Sequence, residues 1–181
     1  NLEVLQIRGR FTEYPLEYES FGHENLKTLI IETADLSDYN LDEICSSDLP
    51  SLEYLEIWLG RQLEDEVDSL SSILNYDSFP NLKYLGLKSG EQSDRLAQAI
   101  VNSPILEHLY VLDLSMGTLT DTGVEALLNC PEIEQLDTLD ISYNAVSEGA
   151  IGFLSELDIN LIADNQAEDP YYSDRYSTLH E

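Results

Sequence analysis

One pattern, L-x-x-L-x-L, recurs along this chain and dominates what it can fold into. It stands at Leu2-Leu5-Ile7, Leu26-Leu29-Ile31, Leu52-Leu55-Ile57, Leu82-Leu85-Leu87, Leu109-Leu112-Leu114 and Leu136-Leu139-Ile141, with successive starts 24, 26, 30, 27 and 27 residues apart. A near-fixed period of this size marks a solenoid, because each unit hides its apolar face only by stacking on the next. Within each motif the second and third apolar residues are two positions apart. That is the period of a strand with one face on a core.

A second periodicity shares the register. Eleven residues after the first Leu stand Ser37, Ser93, Thr120 and Ser147, each followed by an acid: Asp38, Asp94, Asp121 and Glu148. A hydroxyl at that place caps a helix start, and an acid in the first turn suits the helix dipole. Loss of such a cap, as in Thr120→Ala, is expected to cost about 1 kcal/mol. Helical apolar spacing follows in Leu41-Ile44-Cys45, Leu96-Ile100-Val101, Val124-Leu127-Leu128 and Ile151-Leu154. Pro50, Pro80, Pro104 and Pro131 then separate helix from next strand. Each unit therefore reads strand, turn, capped helix, return loop.

Two units depart. The third carries Glu64-Asp65-Glu66 where the cap belongs, then Val67-Leu70-Ile73-Leu74 as its helix. The first has no helical pattern. Its return segment, with Phe11, Tyr14, Pro15, Tyr18, Phe21 and Gly22, reads as an irregular loop whose aromatics take a helix's place. Ile159 to Ala163 reads as a closing strand. Asp164 to Glu181 reads as an acidic tail rich in tyrosine (Tyr171, Tyr172, Tyr176) that either partly covers the last strand, as a terminal repeat requires, or stays disordered. The expected organisation is a repeat array over 1–163, six repeats plus a closing strand, and a tail over 164–181. The chain opens at Asn1-Leu2, inside a repeat and without Met, as expected of a fragment or processed form.

Strand motif, period and capped helices resemble the ribonuclease-inhibitor-like type of leucine-rich repeat, including cytoplasmic bacterial members, over about residues 1–163. The resemblance implies an α/β solenoid shaped as a curved horseshoe. Its parallel β-sheet is concave and its helices are convex, since strands sit about 4.8 Å apart and helices about 10 Å. One departure stands out. The family places Asn or Cys eight residues after the first Leu, and here those positions hold Arg10, Ala34, Gly60, Gly90, Gly117 and Asn144. Only Asn144 fits, so other backbone donors or water are expected to satisfy the remaining turns.

Charge narrows the function. The chain holds 36 acidic against 8 basic residues, a net charge of -28. Nucleic acids and anionic membrane surfaces both need Lys and Arg, so neither is an expected partner; a basic protein is the electrostatic complement. No apolar run reaches the length of a membrane span and no signal peptide opens the chain. Cys45 and Cys130 lie three repeats apart, without a C-x-x-C, and read as reduced, buried thiols in a cytoplasmic protein.

No catalytic residue, metal site or cofactor is expected. His23, His108 and His180 fall in different repeats without ligand spacing. Asp35-Asp38-Asp42 lacks the loop pattern of a calcium site, and no phosphate-binding or nucleophile motif occurs. The repeat class does include activators of small GTPases, for which Arg61 in the third turn is the one candidate; a lone Arg in a turn is ordinarily solvated.

Residues three, five and seven of each repeat face away from the core. This row set includes Ile30, Glu32, Tyr54, Glu56, Trp58, Tyr84, Lys88, Asp113 and Asp140. Aromatics also suit strands for their own sake, but grouped, exposed aromatics are interaction candidates. The expectation is a protein-interaction module that binds a basic protein partner on this concave face. Tyr54, Trp58 and Tyr84 would anchor the partner, and Glu32, Glu56, Asp113 and Asp140 would steer it. A structural spacer within a larger protein is the alternative from another class.

Overall fold

The computed structural model describes residues 1–9, 16–34, 36–60, 63 and 65–169. Seven strands form one all-parallel sheet in chain order: β1 (Val4–Arg8), β2 (Thr28–Glu32), β3 (Tyr54–Trp58), β4 (Tyr84–Lys88), β5 (Val111–Asp113), β6 (Thr138–Asp140) and β7 (Asn160–Ile162). Six of them carry the repeat motif. Their pairing keeps the motif in rank: Leu5, Leu29, Leu55, Leu85, Leu112, Leu139 and Leu161 lie side by side. A one-residue slip would turn this whole row away from the core. At the entries of β2 to β6 a single carbonyl accepts two amides of the next unit. Lys27 N–H and Thr28 N–H meet Glu3 O at 2.9 and 3.0 Å, and Glu53, Lys83 and Tyr110 repeat the arrangement.

Between strands run α1 (Asp38–Cys45), α2 (Glu66–Ser69), α3 (Ser71–Leu74), α4 (Ser93–Val101), α5 (Asp121–Leu128) and α6 (Glu148–Leu154). Strand and helix residues share one apolar core. Leu29, Leu55, Leu85, Leu112 and Leu139 are buried in it with Leu41, Ile44, Leu96, Ile100, Val124, Leu127 and Leu154. Each such side chain contributes about 1.5–3 kcal/mol on burial. Pro104 and Pro131 do separate helix from strand, but each does so by opening a short 3-10 turn, Pro104–Glu107 and Pro131–Gln135. Among the described residues no helix is long and apolar enough to cross a membrane.

Ser37, Thr120 and Ser147 cap their helices as expected, accepting the N–H of Asn40, Thr122 and Ala150. Ser93 does not. It is the first helical residue of α4, buried, and its hydroxyl donates to Gly90 O at 3.0 Å and accepts from Thr118 N–H at 3.0 Å. The acids do more than favour the helix dipole. Asp94 accepts Thr120 N–H at 2.8 Å, the Thr120 hydroxyl at 2.7 Å and Gly123 N–H at 3.1 Å. Asp121 holds Ser147 in the same way, at 2.8 Å to both its N–H and its hydroxyl, and Asp38 accepts the Ser69 hydroxyl. Asp94 and Asp121 thus pin the helix start of the following unit, whereas Asp38 reaches the end of α2 (Glu66–Ser69). Thr120→Ala removes a cap and a charge-assisted bond together, so the expected loss rises to about 2 kcal/mol. Urea unfolding checks this, with Thr120→Ser retaining most of the stability.

The third unit is split where one helix was expected, with α2 ending at Ser69 and α3 starting at Ser71. Asp65 serves as its acidic start, accepting from Val67 N–H and Asp68 N–H. In the first unit Tyr18 is buried and tilts against Phe21 at 6.0 Å, and Tyr18 N–H donates to Asn40 Oδ1. Phe11, Tyr14 and Pro15 lie outside the described residues.

Asn144 fulfils its expected role. It is fully buried, its Nδ2 donates to Leu114 O, Ile141 O and Ser142 O, and its Oδ1 accepts Leu119 N–H at 2.9 Å. At Gly90, where the amide is missing, a backbone donor serves the turn, with Leu59 N–H on Lys88 O at 2.8 Å, and the hydroxyls of Ser93 and Thr118 both donate to Gly90 O. Arg10 lies outside the described residues. Beyond β6 the same turn is rebuilt. Gln166 Nε2 donates to Ile141 O and Ala163 O, and its Oε1 accepts Val146 N–H at 3.0 Å. One residue before these amides the backbone is left-handed in both units, at Tyr143 and Asn165. Residues 164–169 therefore continue the repeat pattern past 163. Tyr171, Tyr172 and Tyr176 lie outside the described residues. Both cysteines are free, Cys130 buried and Cys45 half-buried. Burial pushes the Cys45 thiol up to about 11.

Candidate functional site

The sheet face opposite the core gathers six of the nine candidate residues, Tyr54, Glu56, Trp58, Tyr84, Lys88 and Asp113, into one bonded network and leaves Ile30, Glu32 and Asp140 outside it. Strand pairing sets Tyr54 beside Tyr84, and their rings stack at 3.8 Å and 9°. Tyr54 donates its hydroxyl to Glu56 Oε2 at 2.8 Å; Trp58 Nε1 donates to Glu56 Oε1 at 2.8 Å. Tyr84 reaches across to Asp113 Oδ2 at 2.8 Å, and Ser115 N–H holds Asp113 Oδ1 at 2.9 Å. The Lys88 ammonium lies 3.8 Å from Glu56 and 3.5 Å from Asp113, and 5.5 Å from the centre of the Trp58 ring.

Exposure divides the candidates. Tyr54, Tyr84, Lys88, Ile30, Glu32 and Asp140 are half-buried, whereas Trp58, Glu56 and Asp113 keep only 8, 9 and 5% of their surface. The expectation of an exposed Trp58 is therefore corrected. Ala34, from the second unit's turn, and Met116, from the fifth's, pack against it. Glu32 is engaged by Gln6 Nε2 at 2.8 Å and Arg8 Nε at 3.3 Å. Asp140 accepts Ser142 N–H at 2.8 Å.

Burial raises the Tyr54 hydroxyl to about 12, with Glu56 adding to the rise, and burial with Asp113 raises Tyr84 further. Both hydroxyls therefore stay neutral donors at physiological pH. Gly86 makes the reach of Tyr84 possible: an added Cβ there would sit 3.0 Å from Tyr84 Cε1 and 3.3 Å from Glu56 Cγ. A glycine inside a strand signals such a close approach, and that signal was present in the sequence.

The other candidates do not converge. His108 stacks on Tyr76 at 3.8 Å, while His23 accepts Asn25 N–H. Arg61, Asp35 and His180 lie outside the described residues. The outer face can thus offer ring surface, two buried carboxylates (Glu56 and Asp113) and two half-buried ones (Glu32 and Asp140) to a partner.

No family model matches this sequence, and no curated protein matches it. Among solved structures, a protein of Bacteroides fragilis is similar, with a TM-score of 0.76 and 28% identity. The match covers 84% of this chain and 45% of that one, so the chain spans less than half of its neighbour's length.

Proposed function

We propose that the chain is a cytoplasmic protein-interaction module of the ribonuclease-inhibitor-like leucine-rich-repeat type. A basic protein partner docks on the outer face of its sheet. That face is the concave side of a horseshoe whose helices form the convex side, with the repeats running from residue 1 past 163 through the Gln166 turn and the tail following it. The observation that carries the reading is the stacked Tyr54–Tyr84 pair, half-exposed and set among carboxylates. Aromatic side chains that bury much area and lose little entropy dominate many interfaces. The net charge of -28 favours a basic partner and speeds its approach.

Burial of Trp58 shifts the anchor. Tyr54 and Tyr84 meet the partner, Trp58 fixes Glu56 beneath them, and Ile30, Glu32, Lys88, Asp113 and Asp140 complete the surface. The spacer alternative draws on one observation, that Glu56 and Asp113 are already satisfied within the chain, by Trp58, Tyr54, Tyr84, Ser115 and Lys88. Capture of a basic protein from the native source, followed by titration with purified components, separates the two. Tyr84→Ala is expected to weaken binding by about 2 kcal/mol or more, and Asp140→Lys to slow association and flatten its salt dependence. Unchanged affinity in Tyr54→Ala, Tyr84→Ala and Asp140→Lys would move the docking site to the convex or terminal surfaces, and failure to capture any partner would leave the spacer reading.

A further inference from the structure

The carboxylates around Lys88 take their short hydrogen bonds from other groups and meet Lys88 only as a longer ion pair. Glu56 is gripped at 2.8 Å by the Tyr54 hydroxyl and at 2.8 Å by the Trp58 indole. Asp113 is gripped at 2.9 Å by Ser115 N–H and at 2.8 Å by the Tyr84 hydroxyl. The ammonium, by contrast, sits at 3.8 and 3.5 Å, beyond hydrogen-bond length, on a side chain that keeps 18% of its surface. Two nearly buried negative charges and a tryptophan face make a preorganised receptor for a cation. The cation now in it is the loosest member of the network.

We infer that this pocket of Glu56, Asp113 and Trp58 is a cation-recognition subsite for one basic side chain of a protein partner, and that Lys88 fills it only in the free chain. The inference rests on the docking reading above and names the chemistry of its central contact. The carboxylates are not left bare in either state, which avoids the cost of an unpaired buried charge. Lys88, once displaced, adds a positive charge at the rim, so a basic partner that sets one acid beside its central base would fit best.

Trp58 is the only tryptophan in the chain, so its emission reports the subsite directly. The test titrates the full chain and its Lys88→Ala variant with n-butylammonium at constant ionic strength, with n-butanol as the neutral control. Lys88→Ala is expected to give a saturable change in Trp58 emission. The unsubstituted chain should require about tenfold more ammonium or beyond, because a tethered competitor acts at a high effective concentration. Butanol should give no response, and adding Glu56→Gln to Lys88→Ala should abolish it. Circular dichroism confirms that each variant is folded; Lys88→Met, which keeps an apolar stem over the ring, stands in if Lys88→Ala is not. A folded variant with no saturable response overturns the subsite, as does an equal response to butanol. Neither result involves a partner, so a working subsite on a face that binds no protein would sink the docking reading alone.

Discussion

Asn144→Ala is expected to destabilise the chain by about 3–5 kcal/mol, the range for stripping several buried polar groups of their partners. The side chain is fully buried and spans two units, serving Leu114 O and Leu119 N–H in the fifth and Ile141 O and Ser142 O in the sixth. Alanine leaves these four groups without that partner and opens a polar void. Because units touch only their neighbours, the damage should be concentrated in the C-terminal repeats. Urea unfolding should show a lower midpoint and a smaller slope as those units detach first. Amide exchange should speed up at Leu119, Val146 and Ala167, the last of which donates to Asn144 O. A loss below about 1 kcal/mol would mean that water replaces the amide at little cost.

Gly60→Ala should rank close behind, at about 3 kcal/mol or more. Gly60 has φ +71°, and a Cβ there would lie 2.4 Å from Ala34 O and 2.8 Å from Ala34 C. Left-handed backbone alone costs alanine about 1 kcal/mol. The contact is with backbone, which cannot swing aside as a side chain does. Relief must come from moving Ala34, and Ala34 packs on Trp58. Trp58 emission should therefore shift to the red and quench more readily with iodide, while melting moves down. Gly152→Ala is the matched control. It lies in α6 with nothing within 4 Å of the added methyl, so it should leave Trp58 unchanged and stabilise slightly, by up to about 1 kcal/mol. Equal stability of the two variants would contradict the assigned turn.

The residues that pair across strands were legible because direction is a local property. A period of two commits every second side chain to one face, and the shared rank of Leu29, Leu55, Leu85, Leu112 and Leu139 then sets the register. From that rank alone Tyr54 had to meet Tyr84. Ser37, Thr120 and Ser147 were legible as caps because each serves an amide two or three residues away. Ser93 has the same spacing and a different task, since its hydroxyl is claimed by Thr118, 25 residues on. Asp94 likewise looked like a dipole acid until the structure set Thr120 against it. Gln166 was hidden because its unit is short of the usual period and lacks the leucine motif. Trp58 was read as exposed because its strand does turn it away from the core, but Ala34 and Met116, from turns 24 residues before and 58 after, close over it. Local periodicity determines which way a side chain points. Where its polar atoms end, and what covers it, depends on stacked neighbours a repeat or more away, and only the tertiary structure brings those together.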